Sequence, residues 1–442
     1  MFETLKNAFK VKEIRVKIWF TLLLLVVYRI GCYIPVPGIG SELISESQLS
    51  DLTYLNIMNM MTGGSLASGT LFAMGIGPYI NSSIIMQLLA VAIPSLERLS
   101  KQGEEGRKKI AQYTRYLTIL LAIIQAVGII VNYGDNLLTS SEGTPISQML
   151  WNQEWLAYVV VVLFFAAGTV ITMWIGERIT ENGISNGISL LIFAGIISTA
   201  GQSLIQMFKN IGSADSSHDE LTNFWKLVIM VVAIIVVFVF IITVDLAERK
   251  IPVQYAKQVR GQKMYGGQST VIPIKVNSNG VLPLIFAFSI LSFPELIMTL
   301  FGWINSSFGI WWRTWMGADS WVYMIVLSLF IIFFAYFYTS IQFNPDDISK
   351  SIQQNGGFIM GIRPGKPTAD YLKKISGRIT LFGALFLAVI ALVPSIIFKA
   401  IDASSYGAFT ATGMLIIVSV ALEFNTALES QIMMKNYKGF LK

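Results

Sequence analysis

Charge is the first thing this 442-residue sequence lacks: Asp, Glu, Lys and Arg make up 13% of it, against about 25% in soluble domains. With 54% hydrophobic residues and a mean hydropathy of +0.63, that deficit excludes an ordinary soluble chain and points to an integral membrane protein. Cysteine is nearly absent, and Cys32 alone can form no internal disulfide. Histidine is as scarce: the single His218 falls in a polar loop. Imidazole metal sites and Ser–His or Cys–His catalysis within the membrane are thereby excluded. A nucleotide signature is missing too. The run Gly361-Ile362-Arg363-Pro364-Gly365-Lys366 has three residues between its glycines instead of four, and Pro367 stands where Ser or Thr should follow. No catalytic residue, metal or cofactor is expected, and any energy source must come from a partner.

What is present is organised around one awkward apolar stretch, Met60 to Pro94. Its first half carries Gly63, Gly64, Gly69, Gly75, Gly77 and Pro78, residues that weaken or break a helix. The expectation is a short, loosely held helix at about Thr62–Met74, a break at Gly75–Pro78, then a membrane helix. Irregular backbone at membrane depth survives only where protein covers it or where it lines a wet cavity, so a broken span points to a pathway.

Residues 1–17 alternate basic and apolar side chains, as in a cytoplasmic amphipathic segment lying on an anionic membrane face. An uncleaved first span, Ile18–Tyr33, follows. Nine further apolar segments are read at Ile76–Ile93, Leu117–Val131, Leu156–Ile175, Ile188–Leu204, Trp225–Val244, Val281–Leu300, Trp321–Ile341, Ile379–Phe398 and Phe409–Leu428. Of the 32 Lys and Arg residues, 27 fall on the side of the amino terminus and four on the other, with Arg29 inside the first span. That asymmetry places both termini in the cytoplasm.

The ten spans divide into halves at the polar loop near residue 212, giving 18–211 with spans 1–5 and 212–442 with spans 6–10. The second span of each half is interrupted near its start, at Gly75-Ile76-Gly77-Pro78 and at Gly280-Val281-Leu282-Pro283. Five spans per half make the halves opposite in topology, and paired interruptions in inverted halves put a site at their interface. The membrane interior is expected to be free of Asp, Glu, Lys and His; Asp245, Glu248 and Glu423 fall near cytoplasmic span ends. Ion-coupled transporters usually keep buried ionisable groups, so this expectation disfavours that class. A secondary transporter of a small solute remains the alternative reading. Around the breaks stand Ile76 and Ile80, one helical turn apart, Ile188 and Ile192 at the same spacing, Ile285 and Ile416. By spacing alone these are as compatible with lipid-facing helices as with a pore. Asn81, Ser82, Ser83, Gln87, Gln125, Asn186 and Ser289 are equally compatible with interhelical glue. Two long loops, at 245–278 and 342–378, each carry six basic residues with interleaved Tyr and Phe, a composition able to grip RNA or an acidic protein face.

With Arg29-Ile30-Gly31, Pro35-Val36-Pro37-Gly38-Ile39, Pro78-Tyr79-Ile80, Gln112-Tyr113-Thr114-Arg115-Tyr116, Gly183-Ile184-Ser185-Asn186-Gly187-Ile188-Ser189 and Gly361-Ile362-Arg363-Pro364-Gly365 in this order, the chain resembles the SecY/Sec61-alpha family, central channel subunits of the Sec protein translocase, over nearly its whole length. The resemblance implies an all-α membrane protein whose two inverted five-helix halves close like a clamshell around a pore. It implies a polypeptide-conducting channel in the bacterial plasma membrane, opening sideways for transmembrane segments. It maps a pore ring onto Ile76, Ile80, Ile188, Ile192, Ile285 and Ile416, and a plug onto about 62–74, with Thr62, Gly63, Gly64, Ser65, Leu66, Leu71 and Phe72. The lateral gate, between spans 2–3 and 7–8, would include Asn81, Ser83, Gln87, Gln125, Ser289 and Phe293. Docking of the motor ATPase SecA and of the ribosome, ribosomal RNA included, would fall to Arg249, Lys250, Lys257, Arg260, Lys263 and Arg363. SecE and SecG are implied as complex subunits, and signal sequences, nascent polypeptides and the lipid bilayer as further partners. Two departures stand out: Gln262-Lys263 replaces a paired arginine at the first loop tip, and Phe288 replaces a small polar residue often seen in span 7.

Overall fold

The computed structural model describes residues 2–37, 39, 53–137, 154–212, 217–255, 258–260, 263–265, 269–277, 280, 282–303, 306–317, 320–400 and 411–439. Ten long helices coincide with the ten expected spans. They are Lys12–Gly31, Gly77–Ala92, Glu104–Leu137, Glu154–Asn182, Gly187–Gly212, Ser217–Asp245, Leu282–Leu300, Trp321–Gln342, Lys366–Ala400 and Ala411–Gly439, here spans 1 to 10. Helix is what apolar sequence of this length must form in lipid, because only intrasegment hydrogen bonds satisfy its backbone. Span 2 is the short one: its 16 residues rise about 24 Å at 1.5 Å per residue. It then bends by 107° into the short helix Pro94–Ser100.

Packing within each half repeats. In the first half span 1 lies against spans 4 and 5, span 2 against 3, 3 against 4, and 4 against 5. In the second half span 6 lies against spans 9 and 10, span 7 against 8, 8 against 9, and 9 against 10. The same five neighbour pairs recur five spans on. Between the halves, span 3 meets span 7 and span 5 meets span 10.

The interruptions look different in three dimensions from their expected form. Pro78 and Pro283 sit in the first turns of Gly77–Ala92 and Leu282–Leu300, where the missing N–H had no intrahelical partner to lose. They start these spans and do not break them. The short helix lies upstream of its expected place, at Thr53–Met61, and residues 62–76 are a chain of turns. Gly63 (φ +71°) and Gly75 (φ +49°) explain this, since a left-handed backbone cannot continue a helix. The turns satisfy their own polar groups. Gly64 N donates to Asn59 O (2.9 Å), Leu71 N to Ile34 O (2.9 Å), and Ser65 Oγ to Thr62 O (2.9 Å).

Among the described residues, all strands fall in the two long loops. β1 (Glu248–Tyr255) and β4 (Ser269–Lys275), both in the first long loop, pair antiparallel, and β5 (Gly357–Ile359) of the second long loop adds to β1. Between β1 and β4 stand β2 (Gln258–Arg260) and β3 (Lys263–Tyr265), a separate two-stranded hairpin. Ile251, Val253, Ile274, Ile352, Ile359 and Leu372 form a core under the sheet. The two loops are thus one body, anchored where Asp245 accepts hydrogen bonds from Asn277 Nδ2 (2.6 Å) and Ser419 Oγ (2.9 Å).

Candidate functional site

Span 2 begins with Ile76 as its cap and puts Ile80 one turn later on the same face. Spans 5 and 10 bring Ile192 and Ile416 to meet them. Ile76, Ile192 and Ile416 are buried in one cluster, with Ile80 and Ile188 packed against it. Ile285 of span 7 reaches this region from the second half: Ile80 and Ile285 both pack on the large core of that half. Ile80, Ile285 and Ile416 line one cavity of about 60 Å³, room for a few water molecules. All six isoleucines therefore meet in one contiguous apolar region between the halves. Asn81, Phe288, Ser289 and Ser292 add to the cavity wall, and Ile57, Met58, Met60, Met61 and Thr62 close it on one side.

That closing segment was only half legible. Thr62 was anticipated; the methionine-rich helix Thr53–Met61 was not. The remaining candidates, Gly63, Gly64, Ser65, Leu66, Leu71 and Phe72, follow it along the wall of the first half. Leu66 is buried with Ala126 of span 3 and Phe165 of span 4, and Phe72 stacks on Tyr28 of span 1 at 5.6 Å.

Glycines on three spans seat the segment. A Cβ at Gly31 would strike the Phe72 ring, one at Gly168 the Leu71 carbonyl oxygen, and one at Gly195 the Met61 carbonyl oxygen. Each would come well inside 3.0 Å, a separation that real Cβ atoms essentially never show. Arg29 completes the seat. Its Nη2 donates to Ser198 Oγ of span 5 at 2.5 Å, its guanidinium lies over the Tyr33 ring at 5.5 Å, and a side chain at Gly63 would run into Nη1.

The gate candidates lie along a closed seam. Gln87 accepts a hydrogen bond from Tyr338 Oη of span 8. Asn132 of span 3 donates Nδ2 to the Thr299 carbonyl of span 7, one turn beyond the point where Gly128 approaches the Leu300 backbone. Gln125 is 5% exposed, and neither atom of its amide has a hydrogen-bond partner among the described residues. Ser83 accepts from Gln87 Nε2 within span 2, and Phe293 is half-buried on span 7. The close contacts across the seam are thus span 2 with span 8 and span 3 with span 7. Spans 2 and 7 share the cavity and one apolar core, in which Ile84 lies with Leu284, Phe286, Ala287 and Leu291.

On the loop body, Arg249 and Lys250 are exposed on β1, and Lys250 pairs with Glu248 at 3.1 Å. Arg260 and Lys263 are register partners in the β2–β3 hairpin. Arg363 is exposed on a turn pinned by Thr368 Oγ1, which donates to the Arg363 carbonyl (2.8 Å), and by Ser349 Oγ on the Gly365 carbonyl (2.6 Å). Lys257 and Gln262 lie outside the described residues.

A family model, SecY, matches residues 70–425. The chain is 42% identical over 451 residues to the protein translocase subunit SecY of Streptomyces coelicolor, covering all of both chains. It is 40% identical over 452 residues to that of Bacillus subtilis, again over both full lengths. The chain belongs to the SecY family. Among solved structures, one described as a protein-conducting channel superposes with a TM-score of 0.65 at 20% identity, covering 93% of this chain and 91% of that one. Sec61 in the canine ribosome-channel complex gives 0.62 at 19% identity, with the same coverages. The repeated neighbour pairs are therefore those of the SecY-family fold: ten spans in two inverted halves of five, closed as a clamshell around a central pore.

A second sequence expectation is overturned. Glu295 lies inside span 7, immediately after Pro294, and is 4% exposed. The membrane interior is therefore not free of carboxylates. Glu295 stands in the sequence inside the expected span Val281–Leu300, so the expectation overlooked it; one acidic residue leaves the hydropathy of so apolar a run intact. The transporter reading gains nothing from this group, because the SecY family is one of translocation channels.

Proposed function

We infer that the chain is the channel subunit of a protein translocase, passing unfolded secretory polypeptides across the bacterial plasma membrane and releasing transmembrane segments sideways into it. The observation that carries the reading is the convergence of Ile76, Ile80, Ile188, Ile192, Ile285 and Ile416 between the two halves, beside a small cavity. A pore for chains of any sequence must offer no specific binding. A ring of apolar side chains meets that demand, since it seals by dewetting and by contact with whatever fills it. Thr53–Met61 with the turns to Met74 acts as the plug over this ring, held in notches on spans 1, 4 and 5. The seam between spans 2–3 and 7–8 is the lateral gate; when it parts, an apolar segment leaves because burial in lipid is favourable.

Both termini and the loop body lie in the cytoplasm, where 27 of 32 basic residues gather. The loop body, with Arg249, Lys250, Lys257, Arg260, Lys263 and Arg363, docks the motor ATPase SecA and the ribosome with its RNA. SecE and SecG complete the complex. The chain itself performs no catalysis; its partners supply the energy. The test is to reconstitute the complex with SecA and a preprotein. Preprotein-stimulated ATP hydrolysis and protease-protected preprotein are expected, and a stably inserted complex giving neither would refute the reading.

A further inference from the structure

Between the end of span 7 at Leu300 and the start of span 8 at Trp321 stands a ten-residue helix, Ser307–Met316, with sequence SFGIWWRTWM. It is a built element. Ser306 caps it by accepting a hydrogen bond from Gly309 N at 3.1 Å. Its inner face is fixed: Gly309 and Met316 are buried, Trp312 and Arg313 half-buried, and Met316 and Trp312 join the core of the second half. At 100° per residue this leaves two other faces. Phe308, Trp311 and Trp315, spaced i, i+3 and i+7, form one stripe, and each is about half exposed (51%, 52% and 51%). Ser307, Thr314 and Ile310 form the next face, also exposed, Ile310 at 54%. The order around the helix is therefore core, aromatic stripe, and a mixed edge on which Ser307 and Thr314 lie nearest the stripe.

The stripe does not stand alone. Phe301 and Trp303, stacked at 5.1 Å, precede it, and Trp321 follows; all three are exposed. Phe308 stacks on Trp311 at 6.1 Å. Aromatics exposed to this extent in water would form an aggregation-prone patch. At the level where two spans end, the solvent is the headgroup region, where amphipathic rings are most at home.

We propose that Ser307–Met316 is a lipid-docking helix. It lies in the membrane interface on the side opposite the loop body, with Phe308, Trp311 and Trp315 inserted among the lipids and Ser307 and Thr314 facing water. The occupant is the bilayer because the helix stands in the link between two membrane spans and packs on span 8, whose exposed side chains Trp321, Ile325 and Leu329 are as apolar as the stripe. Arg313 lies on the side of the helix away from Phe308, Trp311 and Trp315. In this position the helix ties the outer ends of spans 7 and 8 to the membrane surface.

The test uses the full-length chain with its complex subunits, in bilayers of phosphatidylethanolamine and phosphatidylglycerol. On a Cys32→Ser background, single substitutions Ser307→Cys, Phe308→Cys, Trp311→Cys, Thr314→Cys and Trp315→Cys carry an environment-sensitive fluorophore. Lipids with a nitroxide near the glycerol, lipids with one near the chain end, and a water-soluble quencher are compared. Emission at 308, 311 and 315 should be lost most to the shallow nitroxide, and emission at 307 and 314 to the aqueous quencher. Equal aqueous quenching at all five positions would overturn the proposal, since the helix would then stand off the membrane. So would protection of 308, 311 and 315 from both lipids, which would mean that protein covers the stripe, or stronger quenching there by the deep nitroxide than by the shallow one.

Discussion

Gly195→Ala should unseat the segment that closes the cavity. Gly195 faces the Met61 carbonyl oxygen, and a built Cβ falls more than 1 Å short of the 3.4 Å at which ordinary contact begins. Span 5 cannot retreat freely, because it is packed on spans 1, 4 and 10. The segment must give, and the turns that follow it are its weaker side. Overpacking of this kind costs about 1–3 kcal/mol, which shifts a seated-to-unseated equilibrium by roughly 5–150-fold. Alanine is a better helix former than glycine, so span 5 itself should not be weakened. Gly201→Ala is the control: it lies in the same helix, and nothing stands within 4 Å of its built Cβ. The assay is conductance of the resting channel in planar bilayers, with membrane insertion measured separately. Gly195→Ala should show frequent openings that Gly201→Ala lacks. Equal, wild-type-like silence from both would refute the account of how the segment is held.

Other expectations follow from the same geometry. Gly128→Cys with Leu300→Cys, on a Cys32→Ser background, should form a disulfide, since the built Cβ at 128 lies 3.3 Å from the Leu300 Cα. Oxidation should block export while sparing SecA binding, and unimpaired export by the fully cross-linked channel would remove spans 3 and 7 from the gate. Arg363→Glu should cripple motor-driven export without unfolding the protein, because the side chain is exposed on a pinned turn; near-normal export would count against docking there. Ile80→Gly with Ile285→Gly should leak more than either change alone. Ile84→Gly, in the packed core of the second half, should instead cost about 2–5 kcal/mol of stability, read as a lowered melting temperature. Equal leak from the double variant and from Ile84→Gly would dissolve the distinction between ring and core.

The ten spans were legible because a stretch with no polar partner for its backbone has one stable form in lipid. The charge asymmetry and the paired Gly-Pro starts of spans 2 and 7 were legible for equally local reasons. What was not legible depends on contact between distant residues. Gly168 and Gly195 read as ordinary small residues in membrane helices; only the carbonyls of Leu71 and Met61 lying against them reveal a notch. The pairing of Val253 with Ile359 joins strands from two loops on either side of spans 7 and 8, and Pro252 blurs the alternation that would mark β1. Thr53–Met61 is too short for a span and too apolar for a loop, so hydropathy assigned it to neither. The six isoleucines occupy an intermediate place: spacing left them open, the resemblance singled them out, and packing brings them together.

The central claim is that a polypeptide passes through the isoleucine constriction. It is tested most directly by placing a photoreactive side chain at Ile80, Ile192, Ile285 or Ile416 and arresting a preprotein midway through the reconstituted complex. The account predicts cross-links to the arrested chain from each of these four positions on four different spans, and none from Leu22 or Leu329, which face outward on spans 1 and 8. Cross-links from the outward positions alone, or from none of the four, would contradict it.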